Sequence, residues 1–270
     1  MKQIISWVFL MLTSGAMYGQ ELYVFSEPAS NMPSKSIGAR FSAKYPNTNN
    51  GKFTQRYVPE VMFGIDKNWM VHVSGSVSNY YHKNMEVDGG KLYVKYRFYS
   101  NDEVHKHFRM AAFADAGFSR HPYTYMDANL DGDNDGVQGG IIATQLINKL
   151  AISGTASYLK IFKPANKTGV NPSLAYNMLN YSLSTGYLLF PREYVDYKQT
   201  NLNLYVEMLG MKALGKNDYG LDLAPAVQLI FNSNSKVNIG YRFQVAGNMT
   251  RIAKQQLLVS LEHTFFNAWK

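Results

Sequence analysis

The chain of 270 residues contains no cysteine, and only 17% of its residues are charged. Without cysteine it has no disulfide, no thiol nucleophile and no cysteine-based zinc or iron–sulfur site. Soluble globular domains carry about 25% charged residues, so this deficit disfavours an ordinary soluble protein. No internal stretch approaches the roughly 18 apolar residues that a membrane-spanning helix needs. The chain does contain 20 tyrosines and 15 phenylalanines, and this combination favours a β-sheet protein embedded in a membrane.

The first 19 residues have the features of an export signal. Lys2 is the only charged residue in this stretch, an apolar segment extends from Ile4 to Leu12, and small residues lead to Gly19. This order is typical of a secretory signal peptide, and cleavage after Gly19 is predicted. The alternative, a membrane anchor, is disfavoured because the apolar segment is short for a span. Residues 20–35 are interrupted by prolines, and we predict that they form an irregular segment before the first regular element.

The formal net charge of +8 does not indicate a nucleic-acid partner. Nucleic-acid binding proteins concentrate lysine and arginine in a patch or stripe. Here no run of five basic residues occurs, and the basic residues are spread along the chain. We therefore predict no nucleic-acid binding and assign the charge to the interior and the loops of the protein.

From Ile37 onward, apolar and polar residues alternate with a period of two, as in Trp69–Ser78 and in residues 237–246. Successive side chains of a strand point to opposite faces, so each segment has one apolar and one polar face. Many segments are about 10–14 residues long, and a tilted transmembrane strand needs about 9–11. The pattern predicts an all-β fold, a transmembrane antiparallel up-and-down β-barrel over residues 36–270. Its twelve strands are predicted at residues 36–46, 54–66, 69–82, 90–100, 106–120, 137–147, 149–163, 176–190, 200–214, 219–232, 236–247 and 254–266.

The predicted connections alternate in length along the chain. Tight polar turns at 66–68, 147–149 and 232–235 alternate with longer links such as 83–89 and 121–136. Short turns on the periplasmic side and long loops outside are the pattern of outer-membrane barrels. The links at residues 191–199 and 216–218 depart from this pattern, the first by being long and the second by being short. Pro59 and Pro225 fall inside predicted strands, where each is expected to mark a bulge or a misplaced boundary.

The export signal, the twelve alternating strands and the aromatic-rich last strand resemble those of porin-like, transporter-type outer-membrane β-barrels of Gram-negative bacteria. The resemblance covers residues 36–270 and is one of pattern. It implies a location in the bacterial outer membrane, with outer-membrane lipid around the barrel and the barrel assembly machinery as a partner. Such barrels usually end on an aromatic residue, whereas here Phe265, Phe266 and Trp269 precede a final Lys270.

Strand parity places a set of polar side chains toward the lumen, because an outward charge costs a few kcal/mol at the bilayer midplane. The eight basic and five acidic residues of this set predict a channel for small polar solutes or ions with a mild anion preference. The alternative is a closed structural or surface-interaction barrel whose lumen is filled by a salt-bridge network. The set, with one histidine, is Arg40, Lys44, Arg56, Glu60, His72, Lys91, Lys95, Arg97, Arg109, Asp115, Glu207, Asp222, Arg242 and Glu262.

His72 and Ser74 resemble the His-x-Ser pair of outer-membrane phospholipase A, a lipid-acting barrel enzyme. A base beside a hydroxyl is the arrangement that nucleophilic catalysis needs. In that family the pair faces lipid, whereas parity here turns both side chains inward. The sequence therefore predicts no enzyme activity, and a lipid-acting enzyme is the less favoured alternative.

Two short motifs suggest metal binding. Asp131, Asp133 and Asp135, followed by Gly136, match the first half of a calcium loop. The glutamate expected at the twelfth position is replaced by Ile142, and an Asp-rich turn explains the motif equally well. The sequence therefore predicts no cofactor, with a structural calcium ion at this motif as the alternative. His105 and His107, two residues apart, are a weaker candidate for a transition metal.

Overall fold

The computed structural model describes residues 23–48, 53–163, 171–192 and 198–269. The predicted signal peptide, residues 1–19, lies outside these described residues. Among the described residues, no helix has the length and apolar character needed to cross a membrane.

Twelve antiparallel strands form a closed barrel, because each strand pairs with its sequence neighbours and β1 also pairs with β12. Closure leaves no strand edge, so every strand finds backbone hydrogen-bond partners on both sides, as lipid surroundings require. The predicted fold and all twelve predicted strands are confirmed, the largest difference being that β4 is longer at both ends. The strands are β1 (Ser36–Pro46), β2 (Arg56–Gly64), β3 (Trp69–Ser78), β4 (Glu86–Glu103), β5 (Lys106–Ser119), β6 (Gly136–Ile147), β7 (Leu150–Ile161), β8 (Asn177–Phe190), β9 (Asn201–Ala213), β10 (Tyr219–Phe231), β11 (Ser235–Gly247) and β12 (Gln255–Phe265).

The alternation of the sequence becomes an inside and an outside. On β3, Trp69 and Val73 are exposed on the outer surface, whereas Met70 and His72 are buried inside. The same division runs around the barrel, where the outer surface carries apolar and aromatic side chains such as Phe41. An apolar outer face and a polar inner face are what a lipid-embedded barrel needs.

The two prolines do not mark the irregularities that the sequence suggested. The pairing of β2 with β3 is interrupted at Val58 and Pro59 but resumes in the same register. The pairing of β10 with β11 is likewise interrupted beside Pro225 without a change of register. Each proline lacks one N–H, so the cost is a local gap in one ladder. The expectation of a bulge or a misplaced boundary was therefore wrong at both positions.

The connections divide the barrel into two ends. At the end that holds the start of β1 and the end of β12, which we call the short-turn end, two-residue links join β4 to β5 and β6 to β7. At the opposite long-loop end, the link between β5 and β6 spans residues 120–135. The two departures noted in the sequence are real. At the short-turn end β8 stops at Phe190 and β9 begins only at Asn201, whereas at the long-loop end only residues 214–218 separate β9 from β10.

Candidate functional site

The N-terminal segment, residues 23–35, lies inside the barrel and is held by a buried carboxylate. The backbone N–H groups of Val24, Phe25 and Ser26 donate to the Glu207 carboxylate over 2.9, 2.8 and 2.8 Å. The Ser184 hydroxyl donates to the same carboxylate over 3.2 Å. Glu207 has no exposed surface, so these donors take the place of the water that a carboxylate would otherwise bind.

Further along, the N-terminal segment bonds to the opposite wall of the lumen. The Lys95 ammonium donates to the carbonyl oxygens of Pro28 and Ser30 over 2.7 and 2.8 Å. The backbone N–H of Ala29 donates to the Thr144 hydroxyl over 2.9 Å, and Ala29 has no exposed surface. Because β4, β6 and β9 all contribute partners, the segment crosses the lumen near the short-turn end.

Glycine makes room for this segment on the barrel wall. A Cβ atom at Gly240 would lie 2.5 Å from the ring of Phe25, which is closer than real atoms approach. Any side chain at this position would therefore push the N-terminal segment away from β11.

The link of residues 120–135, which we call the inserted loop, enters the lumen from the long-loop end. The Asp131 carboxylate accepts from the Lys44 ammonium over 2.6 Å and also forms a short ion pair with Lys91. Leu130 is buried against Gly117, where a Cβ atom would meet the leucine side chain at 2.7 Å. The loop is thus fixed to β1, β4 and β5.

A second ion-pair cluster holds the next acidic residue of the inserted loop. Arg56 forms a short ion pair with Asp133 and donates to Asp88 over 3.1 Å. His121, at the start of the loop, lies with its Nε2 2.9 Å from Asp88. Arg56 and Asp88 are buried, so each of these charges depends on its partner for stabilisation.

The ion pairs set the protonation of the inserted carboxylates. Burial alone would raise the pKa of Asp131, but Lys44 and Lys91 hold this pKa well below its ordinary value. In the N-terminal segment, burial likewise opposes ionisation of Glu27, and Lys95 and Arg40 nevertheless lower its pKa to about 2. Both carboxylates are therefore ionised at neutral pH and remain bound to their cationic partners.

Asp127 of the inserted loop behaves in the opposite way. Burial raises its pKa to about 7, although Arg251 lies only 3.5 Å away and favours the ionised form. Arg251 is largely occupied by Asp222, with which it forms two ion-pair hydrogen bonds of 2.5 and 2.6 Å. Asp127 is therefore the loop carboxylate whose charge changes near neutral pH.

Between the two inserted segments lies a cavity of about 410 Å³, lined by polar and apolar groups in nearly equal measure, which we call the chamber. Its charged lining comprises four basic and four acidic residues, so the chamber is close to neutral while the segments are in place. These residues are Arg40, Lys44, Lys91, Arg242, Glu27, Glu60, Asp115 and Asp131.

The fourteen side chains predicted to face the lumen have different roles in the structure. The chamber is lined by Arg40, Lys44, Glu60, His72, Lys91, Asp115 and Arg242. Contacts that fix the inserted segments or the loops are made by Arg56, Lys95, Arg109, Glu207 and Asp222. Glu262 accepts hydrogen bonds from Arg40 and Lys236 over 2.9 and 2.6 Å. Arg97 is half-buried and lies next to Lys95 on the same face of β4.

Sequence reasoning missed several charged residues of the lumen. Lys236 is the first residue of the predicted strand 236–247 and shares the inward parity of Asn238 and Arg242, so alternation alone could have identified it. Asp88 lies in the part of β4 that precedes the predicted strand. Asp127 and Arg251 lie in loops, where strand parity carries no information.

The three carboxylates of the calcium motif bond to protein groups. Asp131 and Asp133 pair with basic side chains of the wall, and Asp135 accepts from the backbone N–H of Ser119 over 2.6 Å. Within the described ranges, no group of three or more histidine, aspartate or glutamate side chains is arranged to hold a metal ion. Calcium binding by this loop stays a prediction.

His72 and Ser74 both face the lumen, as parity predicted, and both are buried. The Nδ1 atom of His72 lies 3.6 Å from a carboxylate oxygen of Glu60. A pair in this position cannot meet a lipid in the outer leaflet, so the geometry does not favour the lipid-acting alternative.

Comparison with known proteins supports the fold. No protein-family model matches the chain, and no curated protein matches its sequence. An outer-membrane channel from Pseudomonas putida F1 is similar in structure, with 11% identity, a TM-score of 0.61 and coverage of 90% of this chain and 100% of that one. The KdgM porin has 9% identity and a TM-score of 0.49 over 84% of this chain and 99% of its own. At these identities the likeness concerns the fold alone, and the channel from Pseudomonas putida F1 confirms that the chain has the barrel fold of porin-like outer-membrane proteins.

Proposed function

We propose that this protein is an outer-membrane channel that passes small polar solutes or ions through the chamber. The observation that carries the proposal is a cavity of about 410 Å³ that charged side chains help to line, inside a barrel whose outer face is apolar. Cavities of about 300–1,000 Å³ suit small molecules, so the chamber can hold a solute in transit. Insertion of the barrel by the barrel assembly machinery belongs to the same proposal.

The inserted segments determine what the channel conducts. Neither the N-terminal segment nor the inserted loop is a strand of the barrel, so each can leave the lumen without breaking the barrel ladder. In the structure as described they narrow the two ends of the chamber. We infer that passage requires at least partial withdrawal of one or both segments.

We propose that the mild anion preference resides in Lys44 and Lys91. Both ammonium groups line the chamber, and both are paired with the same carboxylate, that of Asp131. A ring of charge selects ions by sign, and Asp131 offsets two positive charges with one negative charge. The preference therefore strengthens when the inserted loop withdraws.

The test is planar-bilayer conductance of the refolded chain from residue 20 onward, with reversal potentials measured in a salt gradient. We expect discrete conductance steps and a reversal potential on the anion side. The double variant Lys44→Gln, Lys91→Gln should remove this preference, whereas the control Lys67→Gln, an exposed lysine in a short turn, should retain it. No conductance from a correctly folded, heat-modifiable barrel, either as the parent or with Glu207→Gln or Asp131→Asn, would contradict the channel proposal.

A closed structural or surface-interaction barrel is the second candidate. It is favoured by the filling of both ends of the lumen by ion-paired segments. A closed barrel would remain silent in the bilayer even when Glu207 or Asp131 is neutralised, whereas a gated channel would begin to conduct.

A further inference from the structure

Two methionines and a histidine lie side by side on the inner face near the short-turn end. Met62 of β2 is directly opposite His72 of β3, and Met70 lies two residues before His72 on the same face. All three are buried, with exposed fractions of 3% for Met62, 3% for Met70 and 4% for His72. Directly opposed side chains have Cβ atoms about 4.5–5.5 Å apart, and diagonal neighbours about 7–8 Å.

The N-terminal segment adds a third methionine to this group. The backbone N–H of Met32 donates to the Met70 sulfur over 3.5 Å. A Cβ atom built at Gly38 would lie 2.6 Å from the methyl group of Met62 and 3.2 Å from that of Met32. The side chains of Met32 and Met62 therefore converge over Gly38, and the absence of a side chain there makes their approach possible.

One ring nitrogen of His72 has no partner among the described residues. Its Nδ1 faces Glu60 at 3.6 Å, while its Nε2 is buried and accepts or donates no hydrogen bond within the described residues. Buried polar atoms normally have a partner, so an orphaned ring nitrogen points to a ligand.

We propose that Met32, Met62, Met70 and His72 form a binding site for a soft monovalent cation, Cu(I) in chemical class. Neutral thioether sulfur and imidazole nitrogen prefer such an ion, whereas calcium and magnesium require oxygen ligands. His72 also lines the chamber, so it is the member of this site that an ion in the lumen meets first. Glu60 and Glu27 are both paired with Arg40, over 3.1 and 3.4 Å, so the surroundings hold no surplus negative charge. Lys95 pairs with Met70 in the β3–β4 register, and its charge disfavours any ion that is more highly charged than a monovalent one.

The site goes beyond the proposed channel function and does not depend on conduction. It uses Met32 of the N-terminal segment, so it exists only while this segment is docked. Bound ion and docked segment therefore stabilise each other, because a ligand that binds one state shifts the equilibrium toward that state.

The experiment is a competition titration of the refolded chain with Cu(I) under anaerobic conditions, against a chromophoric Cu(I) chelator. We expect one equivalent of Cu(I) to bind. Ag(I) has no accessible redox chemistry here, and we expect it to compete for the same site. The triple variant Met32→Leu, Met62→Leu, Met70→Leu should weaken binding by more than about tenfold. The matched control is Met126→Leu, Met178→Leu, Met249→Leu, which removes three buried thioethers near the long-loop end and should bind as the parent does.

His72→Gln provides a second variant that keeps the methionines, and it should also weaken binding while the barrel remains heat-modifiable. Ordinary packing of methionines predicts no Cu(I) binding by the parent chain, and that result would overturn the proposal. Binding that survives the triple variant, or that is lost in His107→Gln instead, would place the ion elsewhere and overturn it as well. Conductance measured in parallel separates this result from the channel proposal, since a silent barrel can still bind the ion.

Discussion

Neutralising Glu207 should release the N-terminal segment from the lumen. The substitution Glu207→Gln keeps the size of the side chain but replaces one carboxylate oxygen by an amide group. In the parent, one carboxylate oxygen accepts from Val24 and Phe25 and the other from Ser26. After the change, at least one of these three backbone N–H groups faces the amide NH₂ of the new side chain, which is itself a donor and cannot accept a hydrogen bond.

The magnitude follows from the number and type of bonds. Hydrogen bonds to a charged group contribute about 1.5–3 kcal/mol each, and a buried donor without an acceptor costs about 1–3 kcal/mol. The loss of one such bond, with weakening of the other two, amounts to about 3 kcal/mol. At about 1.4 kcal/mol per factor of ten, the docking equilibrium shifts by roughly a hundredfold.

The assay uses the absence of cysteine in the chain. Ala29 has no exposed surface while the segment is docked, so Ala29→Cys places a single thiol that is accessible only after undocking. We expect Glu207→Gln to accelerate labelling by a bulky thiol reagent by roughly a hundredfold, in proportion to the open population. Glu86→Gln, an exposed carboxylate outside the lumen, is the control and should leave the rate unchanged.

An unchanged labelling rate in Glu207→Gln, with the barrel still folded, would refute the reasoning. It would mean that the contacts of Lys95 and Thr144 hold the segment without the carboxylate. Increased conductance together with increased labelling would identify the segment as a gate of the channel.

Three further predictions concern the inserted loop. Asp131→Asn should free Lys44 and Lys91, which should raise the conductance and move the reversal potential further toward the anion side. Unchanged selectivity would show that these lysines do not face the ion path through the lumen. Burial raises the pKa of Asp127 to about 7 in the docked loop, against an ordinary value of 3.8. Docking of the inserted loop is therefore strongest below pH 3.8 and weakens as the pH rises through 7, so the conductance should increase from pH 5 to pH 8. Asp127→Asn should abolish this increase, and a slope that persists would assign it to another group. Millimolar calcium should move the midpoint of thermal unfolding by less than about 2 °C, because the Asp131 carboxylate is already paired with two lysines. A larger rise in this midpoint that Asp131→Asn removes would support calcium binding by the motif.

The alternation of residues determined the barrel and its inside. A period of two leaves a strand only one face for lipid, and a charge on that face costs free energy, so Arg40 and Lys95 had to point inward. Segment length distinguished a transmembrane barrel from a soluble sheet. These arguments are local, because each depends only on residues within one strand, and they located all twelve strands.

The tertiary structure decided what fills the lumen. Glu207 and the backbone of Val24 are 183 positions apart, and Lys44 and Asp131 are 87 positions apart, so no local pattern connects them. Alternation also carries no information about residues 23–35 or 120–135, since neither segment is a strand. Closure of β1 on β12 creates an interior in which these segments find the charges that the strands present. The sequence by itself thus determined the wall of the barrel, whereas the folded chain alone decided how its interior is occupied, because ion pairs and hydrogen bonds across the lumen depend on the closed geometry.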